Sequence, residues 1–255
     1  MRPRSSLQSS FWLGLALWGC SPQGADTGGD DVEESDSSVM VDSDSIDSGT
    51  VLDTASDTGL EPDPDDEPCD PPDYGEPGDP FADAVVRFEP GEGHGFGKDE
   101  FPDIVLGPPR GKGPDAGSLD VLSLGESGEI ILELLDRAIV DGEGPDLLIF
   151  ENPFPGWVEP GEVAISEDGE TWYTWPCDTD SSDYAGCAGL NPVLSHPDNC
   201  IDATDPELAG GDAFDLAALG IERARYIRIR DAGVSGPGGF DLDAIAVVNG
   251  DRFEH

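Results

Sequence analysis

The sequence predicts an antiparallel β-sandwich behind a disordered acidic tether, and three observations carry the sandwich. Apolar segments are short and interrupted by Gly, Pro and Asp, and none sustains the 3.6-residue period of an amphipathic helix. YIRIR alternates as a half-buried strand does, with Ile227 and Ile229 on one face and Tyr226, Arg228 and Arg230 on the other. EDGE, between Ser166 and Thr171, places Asp-Gly at the apex of a hairpin turn. Short strands joined by polar turns close a sandwich.

The chain begins MRPRSS, basic through Arg2 and Arg4, and continues into the apolar run FWLGLALW. That run is too short to span a bilayer and ends in Gly19-Cys20, so residues 1–20 read as a secretory signal. LWGC resembles the bacterial lipobox, in which cleavage precedes a cysteine that receives diacylglycerol. Leu17, Gly19 and Cys20 match, whereas Trp18 is bulkier than the usual residue. The alternative is an ordinary cleaved signal with Cys20 incidental. Ser21 follows, with no Asp to signal inner-membrane retention, so the resemblance implies lipid anchoring at the outer membrane or cell surface.

Residues 21–80 contain no Lys or Arg, few aromatics and much Asp, Glu, Ser, Gly and Pro. Such a segment cannot bury enough apolar area to offset chain entropy, and its charges repel, so it reads as a disordered linker. The formal net charge of −44 excludes nucleic acid as a partner, which would need clustered Lys and Arg. Regular apolar segments start near Phe81, making 81–255 one domain.

Within that domain DAVVRFEP, DIVLG, GEIILELLD, DLLIFEN, GEVAIS, TWYTWP, ARYIRIRD and DAIAVVNG are the expected strands, and DAFDLAALG, ending at Gly220, is the one helix signal. Four cysteines follow the signal, an even number that reads as a disulfide framework in an exported chain. Cys177 and Cys187 bracket the loop DTDSSDYAG and form the obvious pair, which leaves Cys69 for Cys200. A cysteine metal site is the weaker reading, because no C-x-x-C occurs and the chain has three His.

VAISEDGETW, residues 163–172, is similar to the strand–turn–Trp segment of discoidin-type and coagulation-factor type C domains. ARYIRIRD, residues 224–231, resembles a later strand of the same domains. Both imply a galactose-binding-like jelly roll, with Trp172 at the position of a core tryptophan. Over about 81–250, the segments DIVLGPPRG, GPDLLIFEN, CAGLNPV, GGDAFDLAALG and GGFDLDAIAVVN also resemble a group of bacterial cell-surface proteins. Many of that group carry a C-terminal membrane-sorting tail. This chain ends DRFEH, so lipid on Cys20 would take that role.

For catalysis the signals are weak. Ser195-His196 are sequence neighbours, no G-x-S-x-G elbow occurs, and His94 lies in GEGHGFG without the strand–helix setting of a phosphate loop. Acidic pairs keep a glycoside hydrolase as the less favoured reading, so the expectation is no enzyme. Glycan or surface-polymer binding is favoured, as the resemblance implies, with Trp157, Tyr173 and Trp175 as candidate contacts. Trp175 could equally cover the disulfide loop. A purely structural surface or assembly module is the alternative. Exposed, coplanar aromatics at one end of the sandwich separate the two.

Asp241 and Asp243 precede the apolar run AIAVV two residues apart, so on a strand both carboxylates share a face. Like charges there are destabilising unless neutralised. A structural Ca²⁺ would do so, drawing also on Asp146, Glu151 and Asn152 around DLLIFEN, with Asp212 and Asp215 a further source. Pairing with Arg228 or Arg230, or acceptance of loop amide hydrogens, are the alternatives.

Overall fold

The computed structural model describes residues 70–74, 78–234 and 238–253. The signal, the lipidation candidate Cys20, most of the linker, and Cys69 lie outside the described residues. No helix among those described is long and apolar enough to cross a membrane.

The chain folds into an all-β antiparallel sandwich. One sheet has five strands in the order β1 (Ala84–Glu89), β3 (Glu129–Glu133), β10 (Tyr226–Asp231), β6 (Gly161–Ser166) and β7 (Tyr173–Thr174). A three-stranded sheet orders β12 (Ala244–Val247), β5 (Leu147–Phe150) and β8 (Asp212–Phe214). Two smaller sheets pair β13 (Gly250–Arg252), β4 (Arg137–Val140) and β9 (Arg223–Ala224), and β11 (Asp241–Leu242) with β2 (Leu122–Ser123).

Alternation decides which side chains meet. Ile130 and Leu132 of β3, Val163 and Ile165 of β6, and Ile227 and Ile229 of β10 point inward. They share one core with Leu147 and Ile149 of β5, Phe214 of β8, and Ile245 and Val247 of β12. The alternate positions of the second sheet, Leu148, Phe150, Ala244 and Ala246, face away into a second buried cluster with Phe81, Val193, Ala203 and Ala209. Burial on both faces is why LLIF reads as an unbroken apolar run. The alanines of β12 make room for the Phe81 ring, against which Tyr74 packs edge-on at 5.1 Å. The Tyr74 hydroxyl accepts from the Ala203 amide, Val247 N–H donates to Pro80 O, and the Arg252 guanidinium donates to Gly78 O. Packing therefore begins upstream of the boundary expected at Phe81.

Two expectations are corrected. DIVLG is a 3₁₀ turn over Asp103–Val105, because the Val105 and Leu106 amides bond locally to Pro102 and Asp103 carbonyls and Val105 alone of the three is buried. DAFDLAALG is no α-helix. Its first half is β8, with Asp212 and Phe214 buried and Ala213 exposed. Only Leu216–Leu219 form a 3₁₀ turn, capped by Asp215 on the Ala217 amide and closed by Gly220 in the left-handed conformation at φ 67°. The EDGE hairpin forms as expected, pairing Ala164 with Thr174 and Ile165 with Tyr173. Cys177 and Cys187 are bridged. Cys200 is disulfide-bonded too, and its expected partner Cys69 lies outside the described residues.

Buried aspartates tie the loops down. Asp231 accepts from the Ser127, Gly233 and Phe240 amides at 2.8, 2.8 and 2.9 Å. Asp212 accepts from the Gly189 and Leu190 amides and from Asn191 Nδ2. Asp231→Ala leaves the buried Phe240 amide and the part-buried Ser127 and Gly233 amides without their acceptor and is expected to cost on the order of 2 kcal/mol in urea unfolding. Asp231→Asn keeps one acceptor oxygen and should lose less.

Candidate functional site

The loop from Glu151 to Pro160 connects β5 to β6 and stands where β11 begins. Glu151 follows the last residue of β5, Glu159 lies just before β6, and Asp241 opens β11. Phe150, which pairs with Ala244, accepts the Asp243 amide at 3.0 Å, and this places the start of β11 beside Glu151. Glu151, Glu159 and Asp241 can each offer an oxygen within 4.8 Å of the other two. Glu151 is 1% exposed, Glu159 5%, and Asp241 partly buried. The Asp241 amide approaches Glu151 Oε1 at 3.4 Å, while Glu151 Oε2 and Asp241 Oδ1 are buried with no hydrogen-bond partner. No ion pair among the described residues reaches any of the three.

The electrostatics follow from this packing. Burial, aided by the Asp241 and Glu159 charges, raises the Glu151 pKa well above the carboxylate range. Burial and then Asp241 lift Glu159 to about 7, while the Trp157 indole N–H acts the other way and stabilises its charge. Burial lifts Asp241 to about 6. Three carboxylates in this condition need protons or a cation.

Of the five residues expected around a calcium, the structure joins Glu151 and Asp241 and separates the rest. Asp243 falls between β11 and β12, so it does not share the face of Asp241. Both its oxygens instead accept from the Arg110 amide at 3.0 and 3.1 Å, and burial lifts its pKa to about 8. Asp146 accepts from the Gly142 and Leu216 amides and from Asn249 Nδ2. Asn152 turns its Nδ2 onto Ser118 O. Asp146 also stands with Asp141 and Asp215, but its donors and the Asp215 cap already satisfy that group. Arg228 lies by Glu129 rather than by either strand-end aspartate. Glu159 was not among the expected ligands. Its signal in sequence was the spacing of Glu151 and Glu159 across a loop with Pro at both ends.

At the tip of that loop, Phe154 and Trp157 exchange amide–carbonyl bonds across Pro155-Gly156, with Gly156 at φ 84°. Pro then Gly at the two central positions, the second with positive φ, is type II turn chemistry. Their rings are parallel within 6°, with centroids 6.4 Å apart, and are 41% and 51% exposed. Beside them runs a shallow groove lined by Pro114, Pro153, Val158, Leu190 and Pro192.

The other candidate aromatics lie elsewhere. Tyr173 is exposed but lines a separate open cleft with Glu167, Asp168 and Arg223. Trp175 is buried against Phe214 and donates its indole N–H to Asp215 O, so it belongs to the core. Trp172, placed in the core by resemblance, lies half-buried beneath the Arg228 guanidinium at 4.6 Å. The swap arises because β7 is two residues long and Trp175, just past it, turns inward where its amide meets Val163 O. The Ser195 hydroxyl donates to Ile201 O, and His196 Nδ1 accepts from the Asp198 amide. No protein-family model matches the chain, and no curated protein sequence does.

Proposed function

We propose that the chain is an exported, lipid-anchored surface module that binds a glycan on the Phe154–Trp157 face, without catalysis. The single observation that carries the reading is this pair of exposed, parallel aromatic rings on a rigid Pro-Gly turn. A pyranose presents a face of weakly positive C–H groups, which suits the negative face of an aromatic ring. The ordered turn holds both rings in place before a ligand arrives, so little side-chain entropy opposes binding. With a net charge of −44, the surface favours neutral over acidic polysaccharide. Lipid on Cys20, within the LWGC motif, would supply the anchor.

A purely structural surface or assembly role is the second reading. The groove at Phe154 favours it, being lined by that ring and by proline and aliphatic side chains, which offer a sugar few hydrogen bonds.

A glycan array probed with the purified protein separates the two. Binding to a neutral glycan is expected, with Trp157→Ala weakening it about tenfold, roughly 1.4 kcal/mol. Tyr173→Ala, on the separate cleft, should leave it unchanged. Silence across the array together with concentration-dependent self-association would establish the assembly role instead.

The anchor has its own test. Cys20→Ala should leave an unprocessed precursor or a released protein, read by detergent partitioning. A mutant that partitions like the wild type would remove the lipid from the proposal.

A further inference from the structure

We propose that Glu151, Glu159 and Asp241 hold a divalent cation, Ca²⁺ in preference to Mg²⁺, at the root of the aromatic loop.

The argument starts from how this protein treats its other buried carboxylates. Asp146, Asp212 and Asp231 each accept three hydrogen bonds, and Asp243 receives the Arg110 amide on both oxygens. The trio differs: Glu151 is 1% exposed, yet its Oε2 has no partner, and neither has the buried Asp241 Oδ1. A carboxylate oxygen withdrawn from water and left without a donor is strongly unfavourable. Two such oxygens in one cluster of three acids, with no Arg or Lys of the described residues in an ion pair to any of them, call for protons or a cation, and the geometry points to the cation.

Geometry and donor type then select the ion. Oxygens bound to one Ca²⁺ at about 2.4 Å lie at most about 4.8 Å apart. The trio meets that limit, its oxygens falling within 4.8 Å of one another. All three donors are carboxylate oxygens, which suit a hard cation and not the thiolate and imidazole preferences of zinc or copper. Three carboxylates gathered on one ion leave little room for the several waters that Mg²⁺ keeps, which favours Ca²⁺.

The cation would also control the loop. Glu151 and Glu159 are its two ends, and the Trp157 indole N–H bears on the Glu159 carboxylate. An ion held by both acids clamps the ends together and fixes the ring that the turn displays. This coupling rests on the glycan reading of the loop; the ion site itself does not.

The test uses the full-length protein, stripped with chelator and titrated without glycan. Calorimetry should show one saturable Ca²⁺ site in the range of extracellular modules, Kd about 10⁻⁴ to 10⁻³ M. The melting temperature should rise by several degrees, with a smaller rise for Mg²⁺ at equal ionic strength. A change in tryptophan fluorescence should accompany saturation and be absent from Trp157→Phe. Glu159→Gln and Asp241→Asn should each weaken Ca²⁺ binding at least tenfold while folding normally, because each relieves repulsion. Asp141→Asn, in the other acidic group, should leave the titration unchanged. Glu151→Gln serves if either variant fails to fold by circular dichroism. Equal stabilisation by Mg²⁺, or a Ca²⁺ shift that survives Glu159→Gln/Asp241→Asn, would show mere screening of an acidic surface and overturn the site. No saturable heat would overturn it too, leaving the trio held by protons. Because no glycan is present, failure of the sugar reading cannot produce any of these results.

Discussion

Buried carboxylates bonded to main-chain amides are the interaction on which this sandwich depends. Its strands are short, several of only two or three residues, so ladder hydrogen bonds cannot by themselves set where the connecting loops run. Asp231 ends β10 and gathers the amides of Ser127, Gly233 and Phe240 from three separate stretches. Asp146 precedes β5 and joins the turn at Gly142 to the 3₁₀ turn at Leu216. Asp212, on β8, holds the segment at Gly189 and Leu190. A helix satisfies its own backbone, whereas a loop passing over the end of a sandwich has to find acceptors outside itself. Here aspartate side chains supply them, which is one reason why an acidic chain can still fold: part of its charge is engaged with backbone dipoles.

The fold was legible where a strand has one wet face or a sharp turn. YIRIR alternates because Ile227 and Ile229 enter the core while Arg228 and Arg230 point outward, and Asp-Gly in EDGE demands a tight reversal. It was illegible where local bonding competes with extension. DIVLG has the composition of a strand, but a 3₁₀ turn satisfies its amides without a neighbour, and nothing in the five letters says which will win. The strands β2, β4, β8, β11 and β13 are two to four residues long, too short for a period of two to show.

The site was half legible. Asp241 and Glu151, expected together because they stand at the ends of apolar strands, do lie within reach of one another. Asp243 was misplaced on the face of Asp241 because the chain breaks strand geometry between β11 and β12, and a two-residue alternation rule assumes no break. Trp157 is a candidate contact only through the resemblance to glycan-binding jelly rolls, which does not single out its partner Phe154, although Phe-Pro-Gly-Trp spells a turn that sets two rings side by side. Trp175 shows the converse limit. Three residues past Trp172 and close to a disulfide, it had equal claim to a surface role until its indole N–H was placed against Asp215 O.

The way the chain enters the domain has a mechanical consequence. Tyr74 and the residues from Gly78 to Phe81 lie over the outer face of the β12–β5–β8 sheet, fastened by Pro80 O to Val247 and by Gly78 O to Arg252 near the C-terminal end. With Cys200 bonded to Cys69, as expected, such a bridge would take a pull from the N-terminal side first; on its reduction the load passes to the Phe81 ring, clustered with Ala244 and Ala246, and to the bonds to the last strands. Neither β1 nor β7, the outer strands of the five-stranded sheet, lies first in that line of force. Tension carried there would have to withdraw Phe81 from its buried cluster before any strand could be peeled, so the entry segment works as a strain relief for the sheet behind it.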